Sequence, residues 1–147
     1  MKYVSSATYG ENFEQEVFTM LDDLKIAYRK EKTLSNAKVR KRDKGCDIEI
    51  IKPHVFIELK TKFDNQALSY DLTGKKSVSL KNHQIKAMDF LLIQFRPNGK
   101  IEQPRMFVLT KVEFVIFAAT HSKNSINLSD CTEYGTEIKD LRWLLDD

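Results

Sequence analysis

The chain has 147 residues, with 24 lysines and arginines against 21 aspartates and glutamates, a formal net charge of +3, and 41% hydrophobic residues. This length suits one domain with a core large enough to fold alone, and a balanced charge by itself names no partner. Two cysteines, Cys46 and Cys131, form neither a disulfide framework nor a zinc set, which points to a reducing cytoplasm. The opening Met1-Lys2-Tyr3-Val4-Ser5-Ser6 has no apolar signal region, and the longest apolar run, Phe114 to Ala119, is far too short to span a membrane. No repeat or low-complexity segment is present.

The first predicted element is a helix over about 8–25. Phe13, Val17, Phe18, Met20, Leu21 and Leu24 recur at helical spacing and define one apolar arc. At about 100° per residue, Glu11 and Glu16 fall outside the arc, while Glu14 falls inside it, between Leu21 and Phe18. A carboxylate on the buried side is costly unless paired. Either Glu14 reaches water at the rim, or it shares a cation with other carboxylates. A strand over about 26–33 follows, then a basic loop over about 34–44. From Arg29 to Lys44 there are eight basic residues against Glu31 and Asp43, a local +6, so the rest of the chain sums to −3. Such runs are commonly just solvated, but this one leads directly into the most informative strands. Lys38, Arg40, Lys41, Arg42 and Lys44 are therefore candidate DNA contacts.

Two alternating runs come next, strands predicted at 46–52 and 55–61, separated by Pro53-His54. Alternation places Asp47 and Glu49 on one face, and Phe56, Glu58 and Lys60 on one face of the following strand. A two-residue turn would set Asp47 opposite Lys60, with Glu58 diagonal to Asp47 and Glu49 opposite Glu58. A charged hairpin face is an ordinary feature of surface strands. Two carboxylates and an ammonium on one patch also suit metal-assisted phosphodiester hydrolysis: a hard cation takes oxygen ligands, and a lysine can stabilise charge on the phosphate. Glu49 is expected to be solvated or to act indirectly.

A polar connection over about 63–78 is longer than most and is expected to be functional or disordered, with a reach over DNA as one hypothesis. Ser79 could cap a helix through about Leu92, with Leu80, Gln84, Ala87, Met88 and Leu91 on one face. Strands are predicted at Leu91–Arg96 and Arg105–Leu109 around a Pro97-Asn98-Gly99 turn, then a helix over Lys111–Ala119 capped by Thr110. Residues 120–135 read as loop, and a short helix over Ile138–Leu145 closes the chain.

Asp47 followed eleven positions later by Glu58-Leu59-Lys60 resembles the signature of the PD-(D/E)XK nucleases, with Cys46 where that superfamily usually has proline. The stretch Gly10-x-x-Phe13-Glu14-x-x-Val17-x-x-x-Leu21 and the later Leu80-Lys81-x-His83-Gln84-Ile85-x-x-Met88 are similar to helices of the Hjc- and RecU-type Holliday junction resolvases. The likeness runs from about Gly10 to Val108. It implies an α/β (α+β) fold with a restriction-endonuclease-like core, a central mixed β-sheet flanked by helices. It further implies magnesium, which manganese would replace, held by Glu14, Asp47, Glu58 and the Leu59 carbonyl. Lys60 would stabilise the transition state, and Gln84 would orient the attacking water or the scissile phosphate. His83 is expected to be a surface or packing residue, and Ser35, in the basic loop, is a weaker candidate for assistance.

The expected function is a structure-selective endodeoxyribonuclease that makes paired nicks in four-way junctions, with Lys62 added to the DNA contacts. Two symmetric cuts imply a homodimer, for which the Phe107–Phe117 region and Trp143 could supply apolar surface, although core burial is the commoner use of such residues. The compact size would fit a phage or plasmid source. A restriction- or repair-type endonuclease acting on duplex, and a DNA-binding module with a decayed site, are the alternatives. Fold and site chemistry are shared by many substrates.

Overall fold

The computed structural model describes residues 6–30, 46–75, 77–121 and 124–145. Helix α1 (Ser6–Asp23) opens the chain, followed by strands β1 (Tyr28–Lys30), β2 (Ile48–Ile50), β3 (Val55–Phe63) and β4 (Leu68–Ser69). Helix α2 (Asn82–Ala87), strands β5 (Phe90–Arg96) and β6 (Arg105–Thr110), and helix α3 (Lys111–Thr120) come next. Strand β7 (Ser125–Ile126), helix α4 (Leu128–Tyr134), strand β8 (Thr136–Ile138) and a 3-10 turn, Arg142–Leu145, complete the order. The main sheet has six strands in the order β1-β2-β3-β5-β6-β8. Only β3 and β5 run parallel, and the other neighbours are antiparallel. The architecture is α+β, a mixed sheet with helices on both faces.

Alternation along the strands sorts their side chains into two cores. Ile48, Ile50, Ile57, Leu59, Leu92, Met106 and Val108 pack with Phe13, Val17, Phe18 and Leu21 of α1 and with Leu141 and Leu144 near the C-terminus. Phe56, Leu91, Ile93, Phe95, Phe107 and Leu109 pack on the other face with Ile85, Phe114, Phe117 and Cys131 of α2, α3 and α4. Each central strand is thus buried on both sides, as a sheet between two helical layers requires. Helix α1 ends where Lys25 takes a left-handed conformation (φ 58°). The Ile26 N–H then reaches back to the Leu21 carbonyl, satisfying the helix end.

The β2–β3 hairpin departs from the predicted register. Ile50 pairs with Val55 and Ile48 with Ile57, so the connection is the four-residue stretch Ile51 to His54 rather than Pro53-His54 alone. The Ile51 N–H donates to the Ala27 carbonyl instead of entering the β3 ladder, and Pro53 has no N–H for a ladder position. Continued past Ile48, this register brings Asp47 beside Glu58, not Lys60. The slip is two residues, so every side chain keeps its predicted face.

Further along, the helix predicted from Ser79 to Leu92 shrinks to α2. The Asp89 N–H donates to the Phe56 carbonyl, and the Phe56 N–H donates to Asp89 Oδ2, both at 2.8 Å. The chain is thereby docked on β3, and Leu91 and Leu92 enter the sheet. Ser79 does not cap this helix; its N–H donates to Ser69 Oγ.

The 63–78 connection is packed rather than free over its described residues. Leu68 and Ser69 pair with β7, Tyr70 bridges to Leu80, and the Tyr70 ring meets Phe114 at 5.0 Å. Residues 120–135, read as loop, contain β7 and α4, the latter started by Asn127 Oδ1 accepting the Asp130 N–H and Asp130 Oδ2 accepting the Asn127 N–H. The predicted closing helix is instead β8 followed by the 3-10 turn. The predicted α3 is present, with Thr110 Oγ1 capping the Glu113 N–H at 3.0 Å. No helix among the described residues is long and apolar enough to cross a membrane.

Candidate active site

The chain enters β2 through Cys46, which is buried in the core against α2–α4. Asp47 precedes the strand proper, and its Oδ2 accepts the Leu59 N–H at 2.7 Å. A side-chain oxygen thus does what a backbone carbonyl would do in a longer ladder, and this fixes the carboxylate against β3. Glu58 lies on the same side of the sheet and is only 2% exposed. Its Oε1 accepts Gln84 Nε2–H at 3.3 Å and lies 3.8 Å from the Lys60 ammonium. A buried carboxylate needs such partners, because unpaired charge in a low-dielectric interior is expensive.

Gln84 is oriented by the start of α2. Its Oε1 accepts the Lys81 N–H at 2.8 Å, which leaves the amide nitrogen for Glu58. In this arrangement Gln84 positions Glu58. Its amide nitrogen carries a second N–H, which is the donor left for a water or a phosphate, the role that the likeness to the nucleases implies. Glu14 is half-buried on α1 and reaches the same cleft from the other helical layer. The arc of α1 therefore places it at the rim rather than beneath the helix.

An open cleft of about 440 Å³ brings together Glu14, Asp47, Glu58, Leu59, Lys60 and Gln84, with Lys62 beside them. The Leu59 side chain belongs to the core under α1, so its main chain is what it offers to this side. Among the described residues, no group of three or more His, Cys, Asp or Glu side chains forms a ready metal cage. The donor set still fits magnesium, which binds through one or two carboxylates and leaves its other positions to water and phosphate.

Other expected residues fall elsewhere. Lys38, Arg40, Lys41, Arg42, Lys44 and Ser35 lie outside the described residues. His83 is half-buried on α2 and does not line the cleft. Glu49, expected to be solvated or indirect, is 2% exposed. Its Oε2 lies 2.7 Å from His54 Nε2, and its Oε1 lies 3.5 Å from Arg29 Nη1. It ties β1, β2 and the hairpin turn together. Phe107, Phe114 and Phe117 are buried core, while Val112, Val115 and Ile116 form the exposed apolar side of α3. Cys131 is no nucleophile: burial, aided by the Asp130 charge, pushes its thiol up to about 12.

Comparison with protein-family models gives no match. A search of curated proteins likewise finds none with significant similarity to this chain.

Proposed function

We propose that this protein is a magnesium-dependent, structure-selective endodeoxyribonuclease, a Holliday junction resolvase making paired nicks in four-way DNA junctions from a restriction-endonuclease-like core. The observation that carries the reading is the convergence of Glu14, Asp47, Glu58, Lys60 and Gln84 on one open cleft, from α1, the approach to β2, β3 and α2. These elements are far apart in the chain, and the residue types are those that the likeness to PD-(D/E)XK nucleases assigns to catalysis.

In this reading Glu14, Asp47, Glu58 and the Leu59 carbonyl hold the cation. Bound magnesium supplies electrophilic activation of the phosphate and a more acidic water, and manganese serves the same oxygen donors. The protein's own contribution is positional and electrostatic. Asp47 is fixed by the Leu59 N–H, and Glu58 is held by Gln84. The Lys60 ammonium stands at the cleft, where negative charge accumulates on the phosphate. Lys62 and the basic run from Lys38 to Lys44 would track the DNA backbone. Two symmetric cuts require two sites, hence a homodimer.

The deciding experiment is a cleavage assay on labelled four-way junction, linear duplex and single strand, with magnesium or EDTA, beside Asp47→Asn. Paired nicks confined to the junction are expected, abolished by EDTA and lowered at least about 100-fold in the variant. The asparagine retains an oxygen for the Leu59 N–H, so its melting temperature should stay near that of the wild type. Cutting of linear duplex at a fixed sequence would replace the resolvase with a restriction-type enzyme. Metal-dependent binding with no cutting of any substrate would leave a DNA-binding module.

A further inference from the structure

Beyond the catalytic cleft, β3 continues through Thr61, Lys62 and Phe63 into a second groove of about 100 Å³, lined by Tyr9, Thr61, Lys62, Phe63, Gln66 and Arg96. Thr61 and Lys62 line both hollows, so the groove adjoins the cleft directly. Its lining differs in kind. The cleft holds three carboxylates, whereas the groove has two cations, two aromatic rings and no carboxylate.

Arg96 is the residue that gives this groove a purpose. Its guanidinium lies over the Tyr9 ring, 4.7 Å from the centroid, and Phe63 meets the edge of that ring at 5.3 Å. Arg96 Nη1 donates to Gln94 Oε1 at 3.0 Å, and Gln94 Nε2 donates to Glu16 Oε2 at 2.9 Å. Gln94 is 5% exposed, so a buried amide of fixed orientation holds the guanidinium. Arg105, by contrast, is neutralised by two bonds to Glu137, and Arg29 pairs with Glu49. Among the described residues Arg96 makes no ion pair: its direct partners are an amide and a ring. A guanidinium held rigid by neutral partners keeps its charge and its planar fork for an external anion, the geometry that suits phosphate oxygens.

The geometry points to a subsite for a phosphodiester flanking the scissile one. Arg96 and Lys62 grip the phosphate, and the Tyr9–Phe63 pair supports the adjoining nucleotide. This inference rests on the nuclease reading for the identity of the polyanion.

The test measures binding of fluorescent four-way junction and linear duplex by anisotropy in EDTA, so that cutting plays no part, across a series of salt concentrations. Arg96→Ala is expected to weaken binding about tenfold and to lower the slope of log affinity against log salt by about one. Arg96→Lys should restore the slope but only part of the affinity. Arg96→Gln, which keeps an amide over Tyr9, guards against a simple folding defect and should behave as Arg96→Ala does. In a second arm, uncharged methylphosphonate replaces one phosphate at a time beside the cut. One such position should weaken the wild type and leave Arg96→Gln indifferent.

Unchanged affinity and slope in folded Arg96→Ala and Arg96→Gln would overturn the subsite, as would a wild type that binds no DNA. Arg96-dependent binding by a protein that cuts nothing would keep the subsite and sink the nuclease reading. Cutting with no dependence on Arg96 would do the reverse.

Discussion

Gln84 shows how much a single side chain is committed by its surroundings. One end of the amide closes the start of α2 on Lys81, and the other donates to buried Glu58. Replacing it by glutamate keeps the acceptor for Lys81, but the donor to Glu58 becomes a second negative charge. Gln84→Glu should therefore lower stability by about 1–3 kcal/mol at neutral pH in EDTA, with part of the loss recovered in acid. Urea denaturation at two pH values checks this, and an unchanged midpoint would mean that the amide does not support Glu58. The residue types of the candidate site were legible in the chain, since alternation puts Asp47 on one charged strand face and Glu58 with Lys60 on the next, and the likeness to PD-(D/E)XK nucleases singles them out. Their partners were not: the Gln84–Glu58 bond joins residues 26 positions apart, and no local pattern encodes it.

At the scale of elements, the β5–β6 turn is held by a residue from β3's end. Asp64 Oδ2 accepts the N–H groups of Asn98, Lys100 and Ile101 at 2.8–2.9 Å, and Gly99 supplies the positive φ of 101° that the turn needs. Burial pushes the Asp64 carboxyl up, but the three donors and the Lys100 charge outweigh it and hold it below the ordinary carboxylate value. The sign follows from linkage. A lowered folded value makes the ionised form stabilising, so the contribution is complete above the ordinary value of 3.8 and is lost as pH falls through the lower folded one. Melting temperatures measured down through that acid range should fall in the wild type and fall less steeply in Asp64→Asn, which is less stable at neutral pH. Identical acid limbs in the two proteins would remove Asp64 as the cause. Pro97-Asn98-Gly99 announced this turn; the carboxylate that fastens it did not stand out, because an acid just past a strand reads as surface charge. Likewise α4 carried its Asn127–Asp130 cap in the sequence, but polar flanks hid it. Its approach to the sheet depends on Gly135, where a Cβ would meet the Val108 carbonyl oxygen at 2.9 Å.

At the scale of the molecule, the proposed reading of two cuts on one junction would require two copies. Of the aromatic residues expected to join them, Phe107, Phe114 and Phe117 are core, and Trp143 is half-buried against Phe90. Val112, Val115 and Ile116 on α3, 45–67% exposed, form an apolar surface on one helix that a partner could cover. If the protein is a dimer through this face, Val112→Lys with Ile116→Lys should convert it to monomer by light scattering without changing its melting temperature at fixed protein concentration by more than the dimer contributes. A wild type that is monomeric at all concentrations would remove the homodimer. The sequence by itself determined α1, the hairpin faces, β5, β6 and α3, because each rests on periodicity or capping within a few residues of chain. It also determined which faces carry charge, since a slip of two residues leaves a strand's faces unchanged. Only the tertiary structure decided that α2 stops where Asp89 docks on β3, that residues 63–75 and 125–134 pack together, that Glu49 is buried, and that Glu14 stands at the rim of the cleft it shares with Asp47. Those outcomes depend on burial and hydrogen bonds between segments distant in sequence, where the energy of packing overrides local preference.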